Sequence, residues 1–176
     1  MKRKTDRTMA RIEGAPGAAG TQFRRVLGHR PEVARQWAAL DEALRFEGTL
    51  APELKEQVRR ALAQHSGCAF CASLGEPDEQ SHDEVTRAAI RFALAVNDGA
   101  AAVGDDAFDT LQRHFSTPQQ VELMAWICFM HASEQMGALF RLAPASAQEL
   151  RGYEAWLTAG FRRAQRQVQS AAPASA

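Results

Sequence analysis

The chain has 176 residues, and its 21 Lys and Arg residues balance 21 Asp and Glu residues. That length suits one domain able to bury about two-thirds of its unfolded surface. The neutral balance argues against nucleic acid or an anionic membrane as a partner. No apolar run approaches the roughly 20 residues that span a bilayer, and no signal-like apolar region opens the chain, so a cytoplasmic location is expected.

Residues 1–20, MKRKTDRTMARIEGAPGAAG, are basic and then rich in Gly, Ala and Pro. They offer little apolar surface to bury and are expected to form a flexible tail. Residues 21–170 read as a single helical domain, and 171–176 as a short disordered Ser/Ala/Pro tail.

PEVARQWAALDEALRFEG has Val33, Trp37, Leu40 and Leu44 at helical spacing, with Pro31 at N1 and Gly48 near the stop. APELKEQVRRALAQHSG repeats the arrangement: Pro52 starts it, Leu54, Val58, Ala61, Leu62 and His65 form a stripe, and Gly67 breaks it. SHDEVTRAAIRFALAVNDG opens on acids and closes on Asn97-Asp98-Gly99. GDDAFDTLQRHFS predicts a short helix carrying Phe108, Leu111 and Phe115. TPQQVELMAWICFMHASEQMGALFRL predicts a long one with Thr117 as N-cap and Pro118 at N1. Its middle, LMAWICFM, is apolar all round, which predicts burial on more than one side and hence oligomerisation. SAQELRGYEAWLTAGFRRAQRQV closes the domain. No alternating strand pattern and no solenoid repeat is visible, so the fold class is all-α.

Between the second and third of these helices lies HSGCAFCASLGEP, residues 65–77. Gly67 ends one helix, which puts Cys68 at the first turn of the next, with Cys71 one turn on and on the same face. Such a pair can clasp a metal, exchange electrons, or be inert packing. A structural zinc site needs four ligands, and a second Cys-x-x-Cys is absent, so no metal is expected. A helix N-terminus favours thiolate, and one sulfur can attack a substrate while the other resolves the product.

Here the chain resembles the carboxymuconolactone decarboxylase/alkylhydroperoxidase (AhpD) superfamily. The resemblance rests on Glu56, twelve residues before Cys68 in KEQVRRALAQHSGCAFC, on the Gly67-Cys68 and Phe70-Cys71 dipeptides, and on the helices that follow. LGHRPEVARQW and FDTLQRHFSTPQQVELMAWICFM extend it over roughly residues 20–165. It implies an AhpD-like multi-helical bundle that assembles as a homo-oligomer (dimer, trimer or hexamer) and needs no cofactor. Its redox members reduce hydroperoxides or disulfides with electrons from a thiol donor such as lipoamide or a thioredoxin-like protein. Carried over, Cys71 is the peroxide-reactive sulfur, Cys68 resolves, and Glu56 belongs to a proton relay. Decarboxylase members tend to lack the cysteine pair.

One position departs from the family: a histidine stands four residues after the second cysteine there, and Gly75 stands here. The relay is therefore incomplete as transferred. Without that base the helix dipole favours Cys68, reversing the family's order, and Gly75 is expected in a left-handed, helix-ending conformation.

Other candidates have plainer readings. Without the family match, Glu56 would be a surface acid beside Lys55, Arg59 and Arg60. His65 is a packed histidine on the apolar stripe, or an imidazolium that depresses a thiol pKa. His131, with Glu134 one turn on, is a core or interface histidine or a base. Cys128 reads as a small buried hydrophobe. His82 and His114 read as surface positions, and Trp126, Phe129 and Met130 as core, interface or pocket wall. The leading expectation is an antioxidant thiol oxidoreductase using Cys68 and Cys71. The alternatives are a lyase acting on a small lactone acid and a non-enzymatic redox sensor.

Overall fold

Each stretch with helical periodicity is a helix in the computed structural model, which describes residues 10–171. The order is α1 (Gln22–Leu27), α2 (Pro31–Phe46), α3 (Pro52–His65), α4 (Ala69–Ser73), α5 (Glu84–Asn97), α6 (Asp105–His114), α7 (Thr117–Phe140) and α8 (Ala147–Ala171). There is no strand among the described residues.

Pro31 and Pro52 stand in the first turns of α2 and α3, where a missing N–H leaves no bond unmade. Asp83 caps α5 by accepting the Thr86 N–H at 2.7 Å. The N-cap of α7 is Ser116, one residue earlier than expected. Its N–H donates to the Gln119 side chain at 3.0 Å, so the cap is a reciprocal box and Thr117 already lies inside the helix.

Helix α3 packs against both α5 and α7, with α2 and α8 also lying on α3. Val58, Leu62, Ala89, Leu123 and Ile127 have no exposed surface at this junction. Burying each of the larger ones contributes roughly 1.5–3 kcal/mol. Trp126 joins them, its indole N–H donating to the Lys55 carbonyl at 2.8 Å.

The long helix α7 has two unlike faces. Leu123, Ile127, Met130, Glu134 and Gly137 form the buried seam. Val121, Ala125, Cys128, Ala132 and Leu139 run along the opposite side and are exposed. The expectation that Cys128 is buried is therefore corrected: it lies on the outer stripe of α7.

Part of the expected N-terminal tail, from residue 10, can be followed. Arg11 donates its backbone N–H to Phe140 at 2.8 Å and its guanidinium to Leu139 at 2.9 Å. Ala15 N–H bonds the Arg25 carbonyl at 2.9 Å. Residues 10–20 thus lie along α1 and the end of α7, while residues 1–9 and 172–176 of the two expected tails lie outside the described residues. No described helix is long and apolar enough to cross a membrane.

Candidate active site

Gly67, at φ +72°, turns the chain out of α3 so that Cys68 becomes the N-cap of α4. The Cys68 sulfur accepts the Cys71 backbone N–H at 3.1 Å. The two cysteines are joined as a disulfide, with Cα atoms 5.2 Å apart. Gly137 of α7 lies against the bridge. A methyl group there would overlap Cys68 Sγ and come within 3.2 Å of Cys71 Sγ, so only glycine lets α7 approach this closely.

The two sulfurs differ in surroundings. Cys68 is 1% exposed, whereas Cys71 is 8% exposed and lines a cleft of about 1140 Å³. Phe23, Leu27, Trp37, Phe129, Met130 and Trp156 give the cleft apolar walls. Arg45, Arg59 and Glu134 are its buried polar groups, and Tyr153 is a half-buried one.

Glu56 is not a surface acid. It is 3% exposed, with Lys55 and Arg59 buried beside it. Its Oε2 accepts from Arg45 and Arg59, each at 2.9 Å, and from the Tyr153 hydroxyl at 2.8 Å. Its Oε1 accepts from Arg59 and Arg60, again at 2.9 Å each. Burial alone pushes this carboxyl up, but Arg59, with Arg45 and Arg60, outweighs it and holds Glu56 at about 2. Burial pushes the Tyr153 hydroxyl up to about 12, against the pull of the two arginines.

Arg59 ties this cluster to the cysteines. Its Nη1 donates to the Cys71 carbonyl at 3.2 Å, and its Nη2 donates to the Leu74 carbonyl at 3.4 Å. Arg45 is likewise engaged, with Asp41 and Glu56, and its guanidinium stacks 4.8 Å from the Trp126 ring and 4.9 Å from the Trp156 ring.

Gly75 has the expected positive φ, at +126°. A Cβ there would meet the Arg60 guanidinium carbon at 3.2 Å. Arg60, paired with Glu56, takes the space that a side chain at position 75 would enter.

The histidines scatter. His65 ends α3 with its side chain exposed, contrary to a packed position on the stripe, and it does not line the cleft. His82, expected at the surface, is 8% exposed and bonds the Gln57 side chain at 2.9 Å. His114 is half-buried and lies 4.0 Å from the Glu84 carboxylate. His131 keeps a buried, unpartnered Nε2, and burial lowers its pKa.

Sequence reasoning mentioned Glu134 only as a neighbour of His131. It is 2% exposed, lines the cleft with Cys71, and neither carboxyl oxygen has a hydrogen-bond partner among the described residues. Burial pushes its pKa up to about 8 against the pull of Arg59, which favours its neutral form. A signal was present: at spacings of four and three residues, Leu123, Ile127, Met130, Glu134 and Gly137 mark one seam, with an acid at a core position.

Among solved structures, a peroxidase-related protein from Silicibacter sp. TM1040 superposes with a TM-score of 0.64, at 12% identity over 74% of this chain and 78% of that one. An alkylhydroperoxidase AhpD core protein from Ralstonia eutropha JMP134 gives 0.62, at 21% identity over 72% and 77%. The chain has the AhpD-like fold. The apo form of the debrominase Bmp8 shares this AhpD-like architecture, with a TM-score of 0.61 and 21% identity over 78% of this chain and 83% of that one. No protein-family model and no curated protein sequence matches the chain.

Proposed function

We propose that the chain is an AhpD-like thiol oxidoreductase whose Cys68–Cys71 pair reduces a hydroperoxide or a disulfide. A dithiol donor of the lipoamide or thioredoxin-like kind restores the pair. One observation carries this reading: of a bonded Cys-x-x-Cys, one member, Cys71, lines a large apolar cleft. The likeness to peroxidase-related proteins of the same fold supports it.

Burial supports the opposite order of the two sulfurs from the dipole argument. Cys68 receives the N–H of Cys71 and is the better-stabilised thiolate, which suits a leaving group. Being 1% exposed, it is poorly placed to meet a substrate. Cys71 is therefore the sulfur that attacks substrate and is attacked by donor, and Cys68 resolves.

Glu56 acts here as a positioning residue. Its charge is committed to three arginines, and through Arg59 it fixes the Cys71 carbonyl. His65 and His131 line no part of the cleft and take no step in this scheme. The lyase alternative lacks support, because Arg45 and Arg59, the buried cations that would hold a carboxylate substrate, are already paired with Asp41 and Glu56.

Turnover of an alkyl or aryl hydroperoxide with a dithiol donor tests the reading. Wild type is expected to turn over, Cys71→Ser to be inactive, and Cys68→Ser to stop after one equivalent. Activity of Cys71→Ser equal to wild type would overturn it.

A further inference from the structure

Glu56 is locked in ion pairs, and at Gly75, where the family has its histidine, there is no side chain and a Cβ would crowd the Arg60 guanidinium. The dithiol chemistry still has to move protons. An anion leaves at each bond exchange, and the cleft around it is walled by aromatic rings.

Glu134 is the buried cleft acid not already committed. It stands one turn before Gly137, the residue on which both sulfurs rest. It shares the cleft wall with Cys71, and Arg59 links the two, bonded to the Cys71 carbonyl while its charge is felt by Glu134. Arg59 forms no salt bridge with Glu134, since its donors are engaged by Glu56, Cys71 and Leu74. An unpaired carboxyl buried this deeply is costly unless it is neutral or in use. Perturbed acids of this kind collect where protons are exchanged.

We propose that Glu134 is the proton donor and acceptor of the Cys68–Cys71 pair, protonating the alkoxide, hydroxide and Cys68 thiolate that leave and taking protons back from the thiols that attack. This rests on the reading of the pair as an exchanging dithiol. In the oxidative half, the Cys71 thiolate attacks the hydroperoxide: the S–O bond forms, the O–O bond breaks, and the alkoxide leaves with the electron pair. Glu134 protonates it, giving an alcohol and a Cys71 sulfenic acid. The Glu134 carboxylate then takes the Cys68 proton, and the Cys68 thiolate attacks Cys71 Sγ. The S–S bond forms, hydroxide leaves, and Glu134 protonates it to water. Glu134 regains from solvent the proton that Cys71 released on ionising. In the reductive half, a donor thiolate attacks Cys71 Sγ and the Cys68 thiolate departs, taking the Glu134 proton. The donor's second thiol gives its proton back to Glu134 and closes the donor disulfide, freeing Cys71.

The charged and titratable groups around Glu134 enter any pH profile. They are Arg59 from α3, Arg45 (paired with Asp41) from α2, Tyr153 from α8, the cysteines of α4 and His131 on α7 itself. Arg45, Arg59 and Tyr153 hold one protonation state through the neutral range, because their pKa values are raised. That leaves Glu134, the thiols and His131 to titrate there.

The test uses the full chain and needs no hydroperoxide. Reduction of the disulfide by dithiothreitol is followed by stopped flow from pH 6 to 9 and corrected for the ionisation of the reagent. Glu134→Gln, which keeps the shape and loses the exchangeable proton, is expected to slow reduction at least tenfold at pH 7. It should also remove an inflection near pH 8 that His131→Asn leaves in place. The thiolate absorbance of reduced wild type should rise in coupled steps, and that of Glu134→Gln in simpler, independent ones. A redox-difference infrared spectrum of wild type, which does not depend on any variant folding, should contain a carboxylic-acid C=O band. Rates within twofold at every pH, or a wild-type spectrum without such a band, would overturn the proposal. A protein that passes these tests yet leaves hydroperoxides untouched would contradict the proposed function and leave Glu134 in this role.

Discussion

Glu56, which accepts from three arginines and a tyrosine, and Glu134, which has no hydrogen-bond partner among the described residues, show how far environment can split one side-chain type. Glu56 sits at about 2 and Glu134 at about 8, from an ordinary value of 4.5. Their contributions to stability run in opposite directions with pH. Glu56, depressed when folded, contributes stability above about pH 4.5 that is lost as pH falls toward 2. Glu134, raised when folded, contributes stability below about pH 4.5 that is lost as pH rises toward 8. Glu56→Gln leaves two buried guanidiniums under-compensated and should destabilise by about 3–5 kcal/mol at pH 7. Glu134→Gln should be near neutral at pH 4.5 and stabilising at pH 8. Urea midpoints at these pH values check both; a Glu56→Gln midpoint equal to wild type would return Glu56 to the role of a surface acid. The family resemblance pointed to Glu56, but its burial was not legible. The groups that enclose it, Arg45 and Tyr153, lie 11 and 97 residues away in sequence.

At the scale of the element, periodicity carried well because these helices are amphipathic and punctuated. Pro31, Pro52, Gly67 and Asn97-Asp98-Gly99 all mark observed boundaries. For α7 it could not say what covers the apolar outer stripe, since residues covered by a second copy read the same in sequence as residues covered within one chain. It also missed how α4 meets α7, since the decisive residue there is a glycine, which has no side chain to show in a hydrophobic pattern. Gly137→Ala places a methyl group against both sulfurs. We expect a loss of about 1–3 kcal/mol from overpacking and a disulfide that opens at a lower ratio of dithiol to disulfide reagent. Urea unfolding and thiol labelling in redox buffers read these outcomes. Unchanged values in both would mean that α4 and α7 have room to separate.

For the whole molecule, the all-helical architecture was accessible from the sequence because the sequence has no period-two segment to compete with the helical one. What the fold adds is a second use for α7. Its inner seam carries Glu134 and Gly137 to the cysteines, and its outer stripe, Val121, Ala125, Cys128, Ala132 and Leu139, is left exposed by the described residues. A stripe of this kind suits packing against another copy. Light scattering should therefore give a multiple of 19.3 kDa. A monomer at micromolar concentration, unchanged by Cys128→Asp and Leu139→Asp, would contradict it. The central claim, that Cys68 and Cys71 form a working dithiol open to the cleft through Cys71, is tested most directly in a single turnover. Fully reduced protein is mixed with one equivalent of an alkyl hydroperoxide, quenched by alkylation, and mapped by mass. The account predicts one alcohol formed per chain, a loss of two hydrogens confined to a Cys68–Cys71 link, and Cys128 alkylated as before. Full alkylation of Cys68 and Cys71 with the hydroperoxide unconsumed would contradict it.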